Sequence, residues 1–205
     1  MDKAIYTIGH STHSLVRFVA LLKKHAIETV CDVRSHPYSR INPQFNRETL
    51  QHALKVHGII YVFLGKELGA RSGDPAAYVN GKVSYDHLAK TGLFKNGLER
   101  IRAETEHHRI ALMCAEKEPL TCHRTILISR HLHQSGSRVM HILESGGLEG
   151  HEESLTRLLR LLRLPETDIF KSQEEIIAEA YQIQGAQIAY EFQRVEDQAL
   201  KAKKN

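Results

Sequence analysis

Short apolar runs alternate with amphipathic segments along most of the chain. Continuous apolar and β-branched runs predict strands at residues 4–9, 28–34, 59–64, 109–115 and 138–143. Apolar positions at helical spacing predict a helix after Ser14, which stands as its cap, and further helices at 47–57, 85–104, 124–134 and 155–164, the last ended by Pro165. The same spacing from Ser172 onward predicts one long terminal helix, with Gly185 as a bend.

This alternation is typical of a mainly parallel sheet of about five strands with helices on both faces, a three-layer α/β fold. We assign residues 1–165 to the α/β domain and residues 166–205 to a C-terminal helical extension of the same domain. The polar, glycine-rich segment 65–82 shows no regular pattern, and we expect a lid or a binding loop there.

Composition narrows the class of protein. With 205 residues, 41% of them hydrophobic, 25% charged and a net charge of +4, the chain fits an ordinary folded domain. No stretch approaches about eighteen consecutive apolar residues and the start has no signal-peptide layout, so we expect a cytoplasmic protein with no membrane partner. Its three cysteines are too few for a disulfide framework. A basic end formed by Lys201, Lys203 and Lys204 can touch nucleic acid, although such ends are most often only solvated.

Polar residues gather where the predicted strands end. Ligands of parallel α/β sheets bind beyond the carboxyl ends of the strands, and we therefore predict a site there. The catalytic candidates are Asp32, Glu116, Cys122 and His123. The candidate substrate contacts are His10, Ser11, Arg34, Ser39, Arg40, Phe45, Asn46, Cys114 and Arg124.

Cys122 is the candidate nucleophile or redox thiol. It would lie near a helix N-terminus, where free N–H groups, the helix dipole and the neighbouring His123 and Arg124 favour a thiolate. His123 would act as its base or hydrogen-bond partner. The alternative is that Cys122 and Cys114 are small buried packing residues, and for Cys114 this interpretation is favoured.

The second strand end allows two interpretations. Asp32 and Arg34 lie two residues apart and share a face, so they could form an internal ion pair that fixes the following loop. Alternatively, Arg34 and Arg40 hold a phosphate or carboxylate, with Asp32 as acid, base or orienter. Phe45 could stack on a base or sugar, or fill its own loop's small core.

A metal site built from Cys114, Cys122, His123 and His10 is chemically feasible. The spacing of these residues fits none of the compact zinc patterns, and such a site would have to be assembled across strands. We therefore predict neither a metal nor a cofactor.

These motifs together resemble the domain of unknown function 488 family. The resemblance runs from Tyr6 to about Gly147 and implies an α/β fold with a shared polar site; it does not imply a particular reaction. A few residues of the tail also resemble members of that family. The matching segments are Ile8-Gly9-His10-Ser11, Asp32-Val33-Arg34 with Pro37 and Ser39-Arg40, Pro43-Gln44-Phe45-Asn46, Tyr61 with Leu64-Gly65 and Leu68-Gly69, Cys114-Ala115-Glu116 with Cys122-His123-Arg124, and, in the tail, Ala180-Tyr181 and Ile188-Ala189-Tyr190.

A weaker resemblance is to rhodanese-like sulfurtransferase domains, and it implies a Rossmann-like or rhodanese-like layering. Segments 30–34, 110–114 and 141–147 follow the order of a rhodanese Asp-Val-Arg strand end, cysteine-bearing strand and Gly-Gly turn. A rhodanese loop cradles an anion in a tight turn, whereas the loop here is longer and contains Glu116, Glu118 and Pro119. Acidic residues repel a persulfide or a sulfate-like anion, so the resemblance implies architecture rather than sulfur transfer.

Three functions compete. The first is an enzyme that acts on a small anionic or nucleotide-like substrate, with Cys122 as nucleophile or redox thiol. The second is a nucleic-acid-binding or nucleic-acid-processing module, although no dense basic stripe supports it. The third is a regulatory domain that forms a homodimer through the long C-terminal helix.

Overall fold

The computed structural model describes residues 4–191, and eight strands lie within them. Six form one sheet in the order β3-β2-β6-β1-β7-β8, in which β8 alone is antiparallel to its neighbour. The other two form a small antiparallel hairpin. The strands are β1 (Ile5–Gly9), β2 (Thr29–Asp32), β3 (Ile60–Phe63), β4 (Tyr78–Val79), β5 (Lys82–Val83), β6 (Ile110–Cys114), β7 (Val139–Ile142) and β8 (Leu148–Gly150).

Helices connect the strands and cover both sides of the sheet, which confirms the predicted α/β fold. They are α1 (Leu15–Lys24), α2 (Arg47–Val56), α3 (Gly65–Leu68), α4 (Tyr85–Lys90), α5 (Gly92–His107), α6 (Arg130–Gln134), α7 (His151–Leu162) and α8 (Gln173–Ile188). A π-helical segment, Arg124–Ser129, runs directly into α6.

Two hydrophobic cores lie on opposite faces of the sheet because successive strand residues point in opposite directions. On β6, Leu112 and Cys114 pack in the core that contains α5 and α6, while Ala111 and Met113 pack in the core that contains α1 and α2. Both faces of the central strands are therefore buried, as continuous apolar runs predict.

Some elements differ from the sequence prediction. The helix predicted at 85–104 is two helices, because the Thr91 side chain accepts a hydrogen bond from the Phe94 amide and caps a new helix there. Strand β8 was not predicted; it follows the Gly146-Gly147 turn and raises the sheet to six strands. The segment predicted as an irregular loop contains α3 and the β4–β5 hairpin.

The C-terminal helix packs against the domain. Ile176, Ala180 and Tyr181 of α8 are buried against Leu155 and Leu158 of α7. The prediction that this helix continues to the chain end is wrong, because it ends at Ile188, and Glu191 then forms a bridge with Lys82. The helix continues through Gly185, and its predicted extension over residues 192–205 lies outside the described residues. The predicted homodimer stays a prediction.

None of the helices within residues 4–191 is long and apolar enough to cross a membrane.

Candidate functional site

Three neighbouring strands, β2, β6 and β1, bring their carboxyl ends to one edge of the sheet. Past that edge the chain after β1 follows β6, since the amides of His10 and Ser11 donate to the carbonyls of Cys114 and Ala115 at 2.9 Å. This approach requires Gly9, because a Cβ atom there would lie 1.9 Å from the Glu116 carbonyl oxygen. The first and fourth predicted strand ends are thus joined directly.

Asp32 and Arg34 form a buried ion pair at the end of β2. Arg34 Nε donates to Asp32 Oδ1 at 2.9 Å and Nη2 donates to Oδ2 at 2.6 Å. Arg34 Nη2 also donates to the carbonyl of Phe45 at 2.9 Å, which attaches the loop before α2. Tyr61 Oη donates to Asp32 Oδ2 at 2.7 Å. The pair therefore fixes the loop, which is the first of the two interpretations of these residues.

His10 is held as a neutral imidazole between Arg34 and its own backbone segment. Its Nδ1 lies 2.9 Å from the Ser11 carbonyl and therefore carries the proton, so Nε2 accepts from Arg34 Nη1 at 3.1 Å. Burial, with the Arg34 charge adding to it, lowers the pKa of His10 to about 4. Phe45 stacks on this ring at 4.3 Å between centroids and is fully buried, so it fills the loop's core.

A second group of polar side chains, Cys114, Glu116, Cys122 and His123, forms what we call the thiol cluster. Both thiols donate to Glu116 Oε2, Cys114 at 2.9 Å and Cys122 at 3.0 Å. The Nδ1 atom of His123 lies 3.6 Å from Cys114 Sγ and 4.0 Å from Cys122 Sγ. One ligand atom from each of the four residues lies within 4.8 Å of all the others. The last residue of β6 and the segment that follows it thus supply the whole cluster.

Arg124 holds the backbone of this loop. It is fully buried, and its Nη1 and Nη2 donate to the carbonyls of Glu116 and Lys117, the second at 3.3 Å. Its backbone amide donates to Cys122 Sγ at 3.4 Å. The π-helical segment begins at this residue, and π-helical turns are frequent at functional sites.

The two thiols differ in acidity. Burial acts to raise the pKa of Cys122, but its hydrogen bond with Cys114 and the positive charge of Arg124 outweigh burial and lower it well below the usual value. Burial and the neighbouring sulfur raise the pKa of Cys114. Of the two thiols, Cys122 is therefore the one that loses its proton more readily. Glu116 is an exposed residue, but loss of solvent around its carboxylate and the nearby Cys122 sulfur raise its pKa.

A cavity of about 280 Å³ adjoins the thiol cluster. The Arg71 guanidinium lies 4.4 Å above the Tyr190 ring on its wall. Cys122 is 1% exposed and does not line the cavity, so a ligand there would contact Cys114, Glu116 and His123 instead. The lining residues are Arg34, Ser35, His36, Tyr38, Ala70, Arg71, Tyr85, Cys114, Ala115, Glu116, Thr121, His123, Ile188 and Tyr190.

A larger cavity of about 540 Å³ lies elsewhere, between β7, β8 and the start of α7. His133, Arg138 and His151 line it, but the thiol cluster does not. The smaller cavity is the better candidate site because thiol, imidazole, carboxylate and guanidinium groups meet there.

Several predicted contact residues serve the loop after β2 instead of the cavity wall. Ser39 Oγ accepts from the amides of Ile41 and Asn42, and Asn46 Oδ1 accepts from the Ser39 amide at 2.7 Å. Arg40 is exposed on the same loop. Ser11 has a left-handed backbone (φ 47°), and its carbonyl holds His10.

Sequence reasoning did not single out Tyr61, Arg71, Tyr85 or Tyr190 as site residues. Arg71 lies in the segment predicted as a lid or binding loop, which was the available signal. Tyr190 comes from the chain after α8, and its position depends on how that helix packs. Tyr61 precedes its strand end by two positions, and its contact with Asp32 follows from the β2–β3 pairing.

Fold and site together define an α/β protein with a dithiol–imidazole–carboxylate cluster at the strand ends. The chain belongs to the family described as "Domain of unknown function DUF488", whose pattern matches residues 14–131. Comparisons with curated proteins and with solved structures gave no match. The resemblance to the domain of unknown function 488 family is thereby confirmed, and the rhodanese-like resemblance is not.

Proposed function

We propose that this protein is an enzyme that binds a small anionic or nucleotide-like substrate in the cavity beside the thiol cluster. The observation that carries this proposal is the convergence of the cluster and Arg71 on a single cavity at the carboxyl ends of parallel strands. Structural ion pairs also perturb side-chain chemistry, but a concave site with several such groups is the usual form of an active site.

The binding side of the cavity fits a small anion. A guanidinium presents planar donors that match carboxylate and phosphate oxygens. Arg71 is stacked on Tyr190, and Tyr38 and Tyr85 add aromatic surface on which a ring can pack. The volume of about 280 Å³ is near the lower end of the roughly 300–1,000 Å³ usual for ligand pockets, which favours a compact substrate.

The reactive side of the cavity is the thiol cluster. Cys114, Glu116 and His123 form its wall, and the substrate meets them first. Nucleophilic attack by Cys122 requires the substrate to displace the Glu116 carboxylate, since both thiols donate to it. Asp32 has a positioning role, because its oxygens are occupied by Arg34 and Tyr61.

Binding tests the anion site. Calorimetric titration of the full chain with phosphate, sulfate and nucleoside monophosphates should give a saturable site. Arg71→Met should weaken it by about 10–100-fold, the loss expected for a hydrogen bond to a charged group. Arg102→Met is the matched control, because Arg102 is exposed on α5 and donates to Ser135. Equal affinity in the Arg71 variant and the wild type would refute the site.

Turnover tests the enzymatic assignment. The chain should cleave at least one substrate class in a panel of chromogenic phosphate, sulfate and carboxylate esters and thioesters. Glu116→Gln should abolish this turnover while anion binding persists. Binding without turnover by the wild type would refute an enzyme acting on these classes. Binding only to a single-stranded oligonucleotide, falling steeply with salt, would favour the nucleic-acid alternative instead.

A further inference from the structure

We propose that the thiol cluster binds one divalent transition-metal ion of the zinc class through Cys114 Sγ, Cys122 Sγ, His123 Nδ1 and a Glu116 carboxylate oxygen. Thiolate, imidazole and carboxylate are the ligands that zinc takes in proteins. This inference does not depend on the proposed enzyme activity, since an ion here could also stabilise the loop alone.

The four ligand atoms lie within 4.8 Å of one another, a spacing from which small shifts reach a tetrahedral site. With metal–sulfur bonds of about 2.3 Å and metal–nitrogen or metal–oxygen bonds of about 2.0–2.2 Å, tetrahedral ligands lie roughly 3.5–3.8 Å apart. The two sulfur–Nδ1 distances are 3.6 and 4.0 Å. The two sulfur–Oε2 distances, 2.9 and 3.0 Å, are those of thiol hydrogen bonds, and Glu116 needs to withdraw by only ~0.5 Å to reach a tetrahedral edge.

His123 is oriented as a metal ligand. Its Nε2 lies 3.1 Å from the Val33 carbonyl, so Nε2 carries a ring proton, and Nδ1 is the nitrogen that faces the sulfurs. A backbone carbonyl that holds the remote ring N–H is the usual partner of a metal-binding histidine. The imidazole is therefore fixed in the required tautomer before any ion arrives.

The surroundings balance the charge of such a complex. Two thiolates, one carboxylate and a divalent cation sum to a single negative charge. The guanidinium of Arg124 is fully buried beside them, and its amide donates to Cys122 Sγ, as amides do to metal-bound thiolates. On binding, the two thiol protons leave to solvent and the sulfurs exchange Oε2 contacts for metal bonds.

The same geometry explains why sequence spacing did not reveal the site. A metal site with His10 would need ligands from separate strands, but His10 Nε2 is already bonded to Arg34 Nη1 at 3.1 Å. Glu116 takes that place, so every ligand comes from residues 114–123. Because Cys114, Glu116 and His123 line the cavity, the ion would face the anion-binding space.

Metal content is the direct test. The full chain without an affinity tag, purified under reducing conditions, should contain about one zinc ion after equilibration with zinc and gel filtration, by mass spectrometry. Substitution with Co²⁺ should give the visible bands and thiolate charge-transfer absorption of a tetrahedral sulfur-containing site. The tag must be absent because its histidines would bind zinc. The chain itself already has 14 histidines that can bind zinc nonspecifically.

Two variants and one control locate the ion. Cys122→Ser should weaken zinc binding and reduce the charge-transfer absorption to that of one thiolate, and Glu116→Gln should weaken zinc binding by more than about tenfold with the fold intact. Cys31→Ala is the matched control, because Cys31 is buried in β2 and outside the cluster. Zinc should also protect Cys114 and Cys122 from alkylation.

The outcomes separate this inference from the proposed function. A chain that holds no stoichiometric zinc or cobalt, or a Cys122→Ser variant that binds as well as the wild type, would overturn the metal site. Turnover by the metal-free chain would show that the metal ion has no catalytic role, and it would support thiol chemistry. Stoichiometric zinc with no turnover would refute the enzyme and leave the metal site standing.

Discussion

Replacement of Asp32 by asparagine removes the charge that the buried Arg34 faces. The side chain of Asp32 is 0% exposed and that of Arg34 is 6% exposed, so water cannot replace the lost carboxylate as a partner of the guanidinium. Burial alone lowers the pKa of Arg34, but the hydrogen bonds and charge of Asp32 outweigh it and keep the guanidinium charged. In the variant this cation stays buried without its counter-ion.

The cost follows from the contacts that are lost. Removing one partner of a buried ion pair destabilises a protein by about 3–5 kcal/mol. Asparagine keeps only one acceptor oxygen. Its amide nitrogen takes either the Oδ2 position, where Arg34 Nη2 and Tyr61 Oη donate, or the Oδ1 position, where the amide and Nε of Arg34 donate. We therefore expect Asp32→Asn to lower the free energy of unfolding by about 3–4 kcal/mol.

Urea denaturation followed by circular dichroism measures this loss, and a double-mutant cycle assigns it. The double variant Asp32→Asn/Arg34→Met should be less destabilised than the sum of the single variants by about 1–3 kcal/mol, since no unpaired cation remains. The exposed pair Arg160–Glu166 is the control, and Glu166→Gln should cost about 0–1 kcal/mol. Additive effects in the cycle, or a loss below about 1 kcal/mol for Asp32→Asn, would refute the reasoning.

Two further predictions concern stability. Burial lowers the pKa of His151 to about 3 and that of His141 well below its usual value, so the folded state resists their protonation. The stability that His151 contributes is complete above about pH 6.5 and is lost as pH falls below it, by about 2 kcal/mol at pH 5, and His141 acts in the same direction; a flat urea-midpoint profile would contradict this. Gly9→Ala should cost at least about 2 kcal/mol in urea melts because its Cβ atom meets the Glu116 carbonyl, whereas Gly73→Ala, with nothing within 4 Å, should cost less than about 0.5 kcal/mol.

The layered fold, and the edge of the sheet that carries the candidate site, could be predicted from the sequence. Both follow from local information, because apolar runs define buried strands and parallel strands place their carboxyl ends together. Asp32, Cys114 and Glu116 could be placed at that edge by this argument alone. Cys122 and His123 followed because the loop after β6 is short enough to return to it.

Contacts between distant segments could not be predicted in this way. From the sequence the partner of Asp32 could be Arg34 or a ligand; in the structure Arg34 contacts both of its oxygens, and the β2–β3 pairing brings Tyr61 to Oδ2 as well. Arg71 and Tyr190 meet only because α8 packs back onto the domain. A threonine before a glycine is a possible helix cap, so the sequence contained a signal for Thr91. The apolar spacing continues on both sides of it, and the boundary between α4 and α5 was therefore missed.

The two polar groups at the strand ends have different physical roles. In the group around Asp32, each strong donor or acceptor has a protein partner, and the result is a fixed loop. In the thiol cluster, one carboxylate oxygen accepts from both sulfurs, and the Nδ1 atom of His123 lies 3.6 and 4.0 Å from them. These groups contact one another more than they hold the backbone, and thiol, carboxylate and imidazole are groups that a cation or an electrophile can engage. The ion pair therefore builds the edge of the sheet, and the thiol cluster is where chemistry is expected.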